Sequence, residues 1–255
     1  MSNGSGVTSA SRLARSRVAI VTGGSRGIGK EVAERLAADG QSVVVVAGRD
    51  GAEAKTVADG IAASSGAAVA SHADVADEVA VGEVFATAER EFGGVDVVVN
   101  CAGVMHLQPL AELELTQLDR MLRTNVRGTF VVNQLAARRI RDGGAIVNFS
   151  STVVRLGLPT YAAYSATKGA VDAISIVLAK ELHGRDVTVN AVAPGPTATS
   201  LFLDGKDQPT IDRIAQSNPM ERLGTPADIA EVVSFLAGPG RWVNGQTIYA
   251  NGGAA

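Results

Sequence analysis

Three features of the 255-residue chain predict an α/β fold built on a parallel sheet with helices on both faces. Apolar runs of strand length recur from Arg17 almost to the C-terminus, each followed by a segment with helical periodicity. The runs are continuously apolar rather than alternating, as strands buried on both faces are. A glycine-rich turn, TGGSRGIG (22–29), follows the first run. No internal repeat and no Pro/Gly linker divides the chain, so one doubly wound domain with right-handed crossovers is expected.

The elements follow in order. RVAIVT (17–22) precedes a helix through KEVAERLAADG, QSVVVVAG (41–48) a second reaching about Ser64, and AAVASHAD (67–74) a third ending near Phe92. VDVVVNCAG (95–103), GAIVNFSS (144–151) and DVTVNAVAPG (186–195) continue the strand series, and QTIYANGG (246–253) closes it. Long amphipathic segments fill the intervals from about Leu115 to Ile140 and from Tyr161 to His183. Between 196 and 225 the pattern is broken by Pro, Asn, Asp and Gly, which marks a candidate substrate lid. Residues 1–15 are polar and Ser/Gly-rich and form an arm outside the fold, leaving 16–255 as the domain.

A hydrophobic fraction of 46% supports a substantial core. With 23 basic and 26 acidic residues the chain has no global basic field, which argues against nucleic acid as a partner. The single cysteine, Cys101, cannot form an internal disulfide. The N-terminus lacks a secretory apolar region, and no apolar run is long enough to span a bilayer, so a cytoplasmic protein without membrane partners is expected. His72, His106 and His183 are scattered without metal-ligand spacing, and no metal is expected.

The glycines of TGGSRGIG are spaced G-x-x-x-G-x-G. Glycine permits the tight turn and lets backbone approach a pyrophosphate, whose charge then sits at the helix N-terminus. At the first strand–helix junction of a doubly wound pattern this points to a dinucleotide, with Gly23, Ser25, Arg26, Gly27, Ile28 and Gly29 as candidate contacts. The second strand ends in AGRD, where Gly48 and Arg49 stand near the place an acidic residue would take for an unphosphorylated ribose. Arg49 with Arg26 can clamp a 2′-phosphate, so NADP(H) is preferred. The competing arrangement leaves both arginines on a solvated rim and gives the ribose to Asp50, which would admit NAD(H). HADV (72–75) offers the Asp74 side chain and the Val75 backbone to an adenine ring, although Asp74 can equally cap the next helix. NCAG (100–103) brings Asn100, Ala102 and Gly103 to the same crevice, with Cys101 as a small packing residue.

These motifs, with NVRG (125–128), YSATK (164–168), a serine thirteen residues before Tyr164, APGPTAT (193–199), RLGTPADIAEVVSFLAG and NGQTIYANGG, resemble the short-chain dehydrogenase/reductase family. The likeness runs from Arg17 to Gly253. It implies a single Rossmann-like domain with a seven-stranded parallel sheet, usually assembled as a homotetramer. It also implies hydride transfer between a nicotinamide cofactor and a carbonyl or alcohol carbon.

The residues support that reading on their own terms. Tyr164 and Lys168 are four apart and share a helix face, where an ammonium favours the phenolate and lowers the tyrosine pKa. Ser151 ends a strand at the edge where open α/β sheets bind ligands, and its hydroxyl can hold a substrate carbonyl oxygen. Strand alternation lets only one of Ser150 and Ser151 face the site, and the family spacing selects Ser151. The resemblance makes Asn125 the fourth catalytic member, holding a water that connects Lys168 to solvent, and gives Lys168 a second task on the nicotinamide ribose. It assigns Pro194 and Gly195 to a turn and Thr199 to the nicotinamide carboxamide. Thr197 stands where the family more often has an apolar residue. Tyr161 reads as a pocket wall or a helix-start packing residue, and His106 as a loop residue.

The expected reaction is reduction of a small or medium apolar ketone to a secondary alcohol. Ala193, Met105, Leu107, Leu156, Leu158, Leu201 and Phe202 are the candidate pocket lining. Other readings are a 3-oxoacyl-carrier-protein reductase, with Arg138, Arg139, Arg141 and Arg185 as a patch for an acidic carrier, a glucose-type sugar dehydrogenase, and a dinucleotide sensor without turnover. The complete Asn125, Ser151, Tyr164, Lys168 set argues against the sensor.

Overall fold

Parallel strands cannot be joined by tight turns, so each apolar run must be followed by a crossover. The computed structural model, which describes residues 16–48 and 51–255, shows this repeat throughout. The N-terminal arm, Arg49 and Asp50 lie outside the described residues. The order begins β1 (Val18–Thr22), α1 (Gly27–Ala38), β2 (Ser42–Ala47), α2 (Gly51–Ala63), β3 (Ala67–His72), α3 (Glu78–Phe92) and β4 (Val95–Asn100). A 3-10 turn (Leu110–Glu112) leads to α4 (Leu115–Met121), a π-helical turn (Leu122–Arg127), α5 (Gly128–Arg139) and β5 (Ile140–Phe149). The chain continues with α6 (Val153–Leu156), α7 (Ala162–Glu181), β6 (Thr188–Pro194), α8 (Ser200–Leu203), α9 (Gln208–Ser217), α10 (Pro226–Ala237) and β7 (Thr247–Ala250).

The seven strands form one sheet in the order β3-β2-β1-β4-β5-β6-β7, every neighbouring pair parallel. This is the doubly wound Rossmann-like arrangement, with strand order reversing between β1 and β4. Side chains alternate between two cores, one on each face. Val18, Ile20, Val44, Val46 and Val98 pack with α3, α5 and α7 residues such as Phe85, Val132 and Leu178. Ala19, Val21, Val43, Val45, Val97 and Val99 pack with Val32, Leu36, Ile61, Ile229 and Leu236 of α1, α2 and α10.

Local chemistry sets the helix ends. Asp77 caps α3, accepting from the Val79 and Ala80 amides at 2.9 and 3.1 Å, and Gly93 (φ 81°) ends it in the left-handed conformation. Thr225 and Asp228 form a reciprocal capping box at the start of α10.

Two features depart from the pattern in the sequence. The 115–140 segment is two α-helices joined by a π-helical turn that carries Asn125. The fifth strand begins at Ile140, before the GAIVNF run, with a shift of register opposite Val95 and Val97. Gly144 permits that path, since a Cβ there would stand 2.8 Å from the Asp96 carbonyl oxygen.

A buried polar chain ties the helical layer to the sheet. Asn133 and Asn148 exchange amide hydrogen bonds of 2.8 and 3.1 Å, and Asn148 also donates to Ser175 at 3.0 Å. All three residues are buried. Asn148→Ala leaves partners unpaired in α5 and α7 and is expected to lower the unfolding free energy by about 1–3 kcal/mol, measured by urea denaturation.

Candidate active site

The glycine loop rises from β1 at the point where the strand order reverses. Gly23 (φ 64°) lies so close to Ala102 that a Cβ would come within 3.0 Å of its backbone. At Gly29 a Cβ would fall 2.1 Å from the Gly23 carbonyl oxygen, so no other residue fits. Arg26 occupies the cap position of α1 without capping it, and the first turn carries no acid. The first turn is thus left without a capping side chain, an arrangement suited to a pyrophosphate. Thr199 faces the loop from the other side, 3.4 Å from where a Gly27 Cβ would be. The loop and the β6–α8 connection thus form two walls of one cleft.

Asn100 is braced from both sides. Thr22 Oγ1 donates to its Oδ1 at 3.0 Å, and its amide donates to Thr129 Oγ1 at 3.1 Å. The Ala102 amide donates to the Thr22 hydroxyl at 3.2 Å, which fixes the turn after β4. Pro194 ends β6, and the Gly195 amide donates to the Ala250 carbonyl at 3.0 Å. Thr197 is buried, its hydroxyl donating to the Gly195 carbonyl at 2.9 Å. A hydroxyl used this way shapes the turn, which accounts for a polar residue at that place.

Asn125 shows what the π-helical turn achieves. Its Oδ1 accepts from the Val104 amide at 2.9 Å, and its Nδ2 donates to the Val104 carbonyl at 2.8 Å and to Thr167 Oγ1 at 3.1 Å. Thr167 donates in turn to the Tyr164 carbonyl at 2.8 Å. The side chain therefore clamps the loop after β4 to the helix that carries Tyr164 and Lys168. Its own backbone carbonyl accepts from Thr129 Oγ1 at 2.7 Å.

Lys168 and Tyr164 are both buried. The Lys168 ammonium donates to the Phe149 carbonyl at 2.7 Å and lies 5.6 Å from the centroid of the Tyr164 ring. A Cβ on Gly103 would stand 3.4 Å from Asn125 Oδ1 and 3.6 Å from Lys168 Nζ, so these groups converge on one glycine. Met121, Ala163, Val104, Met105 and Tyr161 pack around Tyr164.

The electrostatics differ from the expectation of a tyrosine acidified by its lysine. Burial pushes the Tyr164 phenol up, Cys101 and Tyr161 add to this, and a hydrogen bond with Ser151 opposes it. Burial likewise pulls Lys168 down to about 8, against the attraction of Cys101 and Asp172. In the protein by itself desolvation is the largest influence on both groups, and the phenol is held protonated. The Cys101 thiol is pushed up to about 12 by burial, which fits packing rather than nucleophilic chemistry.

Other expected contacts resolve unevenly. Ser25 donates to Glu53 at 3.1 Å, and Arg26 is exposed. Asp74 does not cap α3; it accepts from the Ala76 amide at 2.9 Å and from Arg123 at 2.6 Å. Ala193 is fully buried in β6 and cannot line a pocket. Three arginines of the supposed carrier patch are engaged elsewhere: Arg139 with Glu89, Arg141 with Asp96, and Arg185 with Asp142 and two backbone carbonyls. Arg141 and Arg185 stand by the N-terminal ends of β5 and β6, opposite the site. His106 Nε2 lies 3.3 Å from Gln108 Oε1. No pattern in the chain marks the Phe149 carbonyl, Thr167 or Thr22, because each acts through a contact distant in the chain.

A doubly wound sheet with a glycine-rich loop at the strand-order reversal and a buried tyrosine–lysine pair defines a dinucleotide-binding oxidoreductase. A family model described as enoyl-(acyl carrier protein) reductase matches residues 23–255. A short-chain type dehydrogenase/reductase of Picea abies is 43% identical over 248 residues, covering 93% of this chain and 92% of that protein. The NADPH-dependent aldehyde reductase 2, chloroplastic, of Arabidopsis thaliana is 38% identical over 269 residues, covering 99% of each. The crystal structure of a short chain dehydrogenase from Burkholderia cenocepacia in complex with NADP has a TM-score of 0.87 and 38% identity, covering 96% of this chain and 99% of that one. The chain belongs to the short-chain dehydrogenase/reductase family.

Burying Lys168 has a thermodynamic consequence. Its folded pKa of about 8 lies below its unfolded value of 10.5, so between these pH values the unfolded chain binds more protons and stability rises with pH. Below pH 8 the charged form carries the full penalty. Lys168→Met is therefore expected to be more stable than wild type at pH 7 by about 1–3 kcal/mol, with the advantage shrinking by pH 10. Denaturant titrations at the two pH values measure it.

Proposed function

We propose that the protein is an NADPH-dependent ketoreductase that converts a small or medium apolar ketone to a secondary alcohol. The observation that carries this reading is the meeting of Tyr164, Ser151 and Lys168 beside the glycine loop. The names of the NADPH-dependent aldehyde reductase of Arabidopsis thaliana and versicolorin reductase 1 of Aspergillus parasiticus, 38% identical to this chain, support the reductive direction. NADP(H) is the preferred cofactor and NAD(H) the less favoured one.

When bound, the cofactor supplies the hydride. Gly23, Gly27 and Gly29 admit the pyrophosphate, with Ser25, Ile28 and the α1 N-terminus around it. Arg26 and Arg49 hold the 2′-phosphate, Asp74 and Val75 the adenine, and Asn100, Ala102, Gly103, Pro194, Gly195, Thr197 and Thr199 the remaining walls. Ser151 orients the substrate carbonyl oxygen, and Tyr164, held protonated by burial, gives it a proton. Lys168 holds the ribose and replenishes that proton from its ammonium. Asn125 supports the relay through its backbone carbonyl, since its side chain is fully engaged. Residues 196–225, which include α8 and α9, act as the substrate lid.

The single cysteine supports a reducing compartment, the cytoplasm. Exposed apolar side chains on the two longest helical segments, Leu122 and Phe130 on one and Ile176 and Val177 on the other, support a homotetramer. Among the described residues no helix is long and apolar enough to cross a membrane.

Tyr164→Phe is expected to lower kcat with NADPH and a panel of ketones by about 10²–10⁴-fold. Its NADPH affinity, followed by nucleotide fluorescence, should stay within about threefold of wild type, because the phenol acts on the substrate. Equal activity in both proteins would remove the catalytic assignment. Arg26→Ala is expected to weaken NADPH about tenfold while leaving NADH nearly unchanged, as loss of one charge-assisted contact to the 2′-phosphate requires. Fluorescence titration with the two nucleotides measures that difference.

A further inference from the structure

One turn beyond Lys168 on α7 stands Asp172, a half-buried carboxylate outside the proposed catalytic set. It accepts a hydrogen bond from Thr247 Oγ1 on β7 at 3.0 Å, and the Ser150 hydroxyl at the end of β5 bonds it as well. Two cations attract it: Lys168 on its own helix and Arg155 on α6. The Arg155 guanidinium is itself fixed, 3.7 Å from the centroid of the Tyr249 ring on β7. Ser150 also lies 3.5 Å from the Lys168 carbonyl. One carboxylate thus ties α7 to β7 and to the residue after β5, with the Arg155 cation of α6 nearby.

Burying a carboxylate is unfavourable, and desolvation raises Asp172 above its ordinary range despite these partners. Packing alone would be served as well by an asparagine, which makes the same contacts without the charge. What the charge adds is attraction to Lys168, whose ammonium donates to the Phe149 carbonyl.

We propose that Asp172 is a positioning residue of the reaction: its carboxylate supports the Lys168 ammonium in the charged form and, through Ser150, fixes the strand end that carries Ser151. This rests on the catalytic reading of Tyr164 and Lys168. The groups facing Lys168 are Cys101 after β4, and Tyr164 and Asp172 on α7. Those facing Asp172 are Lys168, Arg155, and the hydroxyls of Ser150 and Thr247. Ser150, Thr247, Lys168 and Arg155 all favour the ionised carboxylate, against the desolvation that raises it.

Removing the negative charge makes the Lys168 ammonium easier to deprotonate, so the alkaline limb of kcat/KM moves to lower pH. The test is the pH dependence of kcat and kcat/KM, with NADPH and the best ketone of the panel, for wild type, Asp172→Asn and Asp172→Glu, with Tyr164→Phe as control. The expected result is a limb about one pH unit lower in Asp172→Asn, a tenfold change in the dissociation constant, restored by Asp172→Glu. Thermal melts establish that the variants are folded. If Asp172→Asn does not fold, Thr247→Val, which loosens the carboxylate, is expected to move the limb less in the same direction. A folded Asp172→Asn, or in its place Thr247→Val, with the wild-type limb overturns the inference while a crippled Tyr164→Phe leaves the catalytic reading standing. A fully active Tyr164→Phe overturns that reading and this inference with it. A turnover-independent check uses the stability gap between each protein and its Lys168→Met derivative. In the Asp172→Asn background that gap should be wider at pH 6 and begin to shrink at lower pH, while still closing near the unfolded value of 10.5; an unchanged width and onset count against the coupling.

Discussion

The contact on which the site depends is the hydrogen bond from the buried Lys168 ammonium to the Phe149 carbonyl, 2.7 Å long. A charged amine in a low-dielectric interior needs a fixed acceptor, and the last carbonyl of β5 is one that the sheet holds rigidly. That requirement sets the depth and rotation of α7 against the strand. Tyr164, one turn earlier on α7, is thereby brought beside Ser151, which lies just beyond the strand end. The geometry of the proposed chemistry follows from satisfying one buried cation.

The same economy runs through the neighbouring elements. Asn125 commits its whole side chain to Val104 and Thr167, so the loop after β4 is tied to α7. Thr22, Asn100 and Thr129 bind β1, β4 and α5 in a second chain. These networks lie at the C-terminal edge of the sheet, where the strands end and their polar groups would otherwise be unpaired. The Asn133–Asn148–Ser175 chain continues the bracing into the middle of the helical layer. Rigid support of this kind is what places reacting groups within hydrogen-bond reach of one another.

Much of the fold was legible in the chain itself. Seven apolar runs became seven parallel strands; those between the edges are buried on both faces, as continuous Val and Ala segments require. The glycine loop was legible because Gly29 tolerates no side chain and Gly23 requires a left-handed backbone. The pairing of Tyr164 with Lys168 followed from helical spacing. Their ionisation did not, since spacing says that two groups are near and says nothing of how much water each has lost. The π-helical turn was equally hidden, for amphipathic periodicity does not distinguish a local widening of the helix from the regular form.

Residue types and their intervals therefore determined the class of fold, the place of the glycine loop and the family, all of which depend on local pattern and short-range geometry. Tertiary structure alone decided which partners the polar side chains take: Asp74 with Arg123, Asn125 with Val104, Lys168 with Phe149, and Asp172 with Thr247. The physical reason is that burial and long-range hydrogen bonding are properties of the packed chain. They assign each ionisable group its charge only once strands and helices distant in sequence have closed around it.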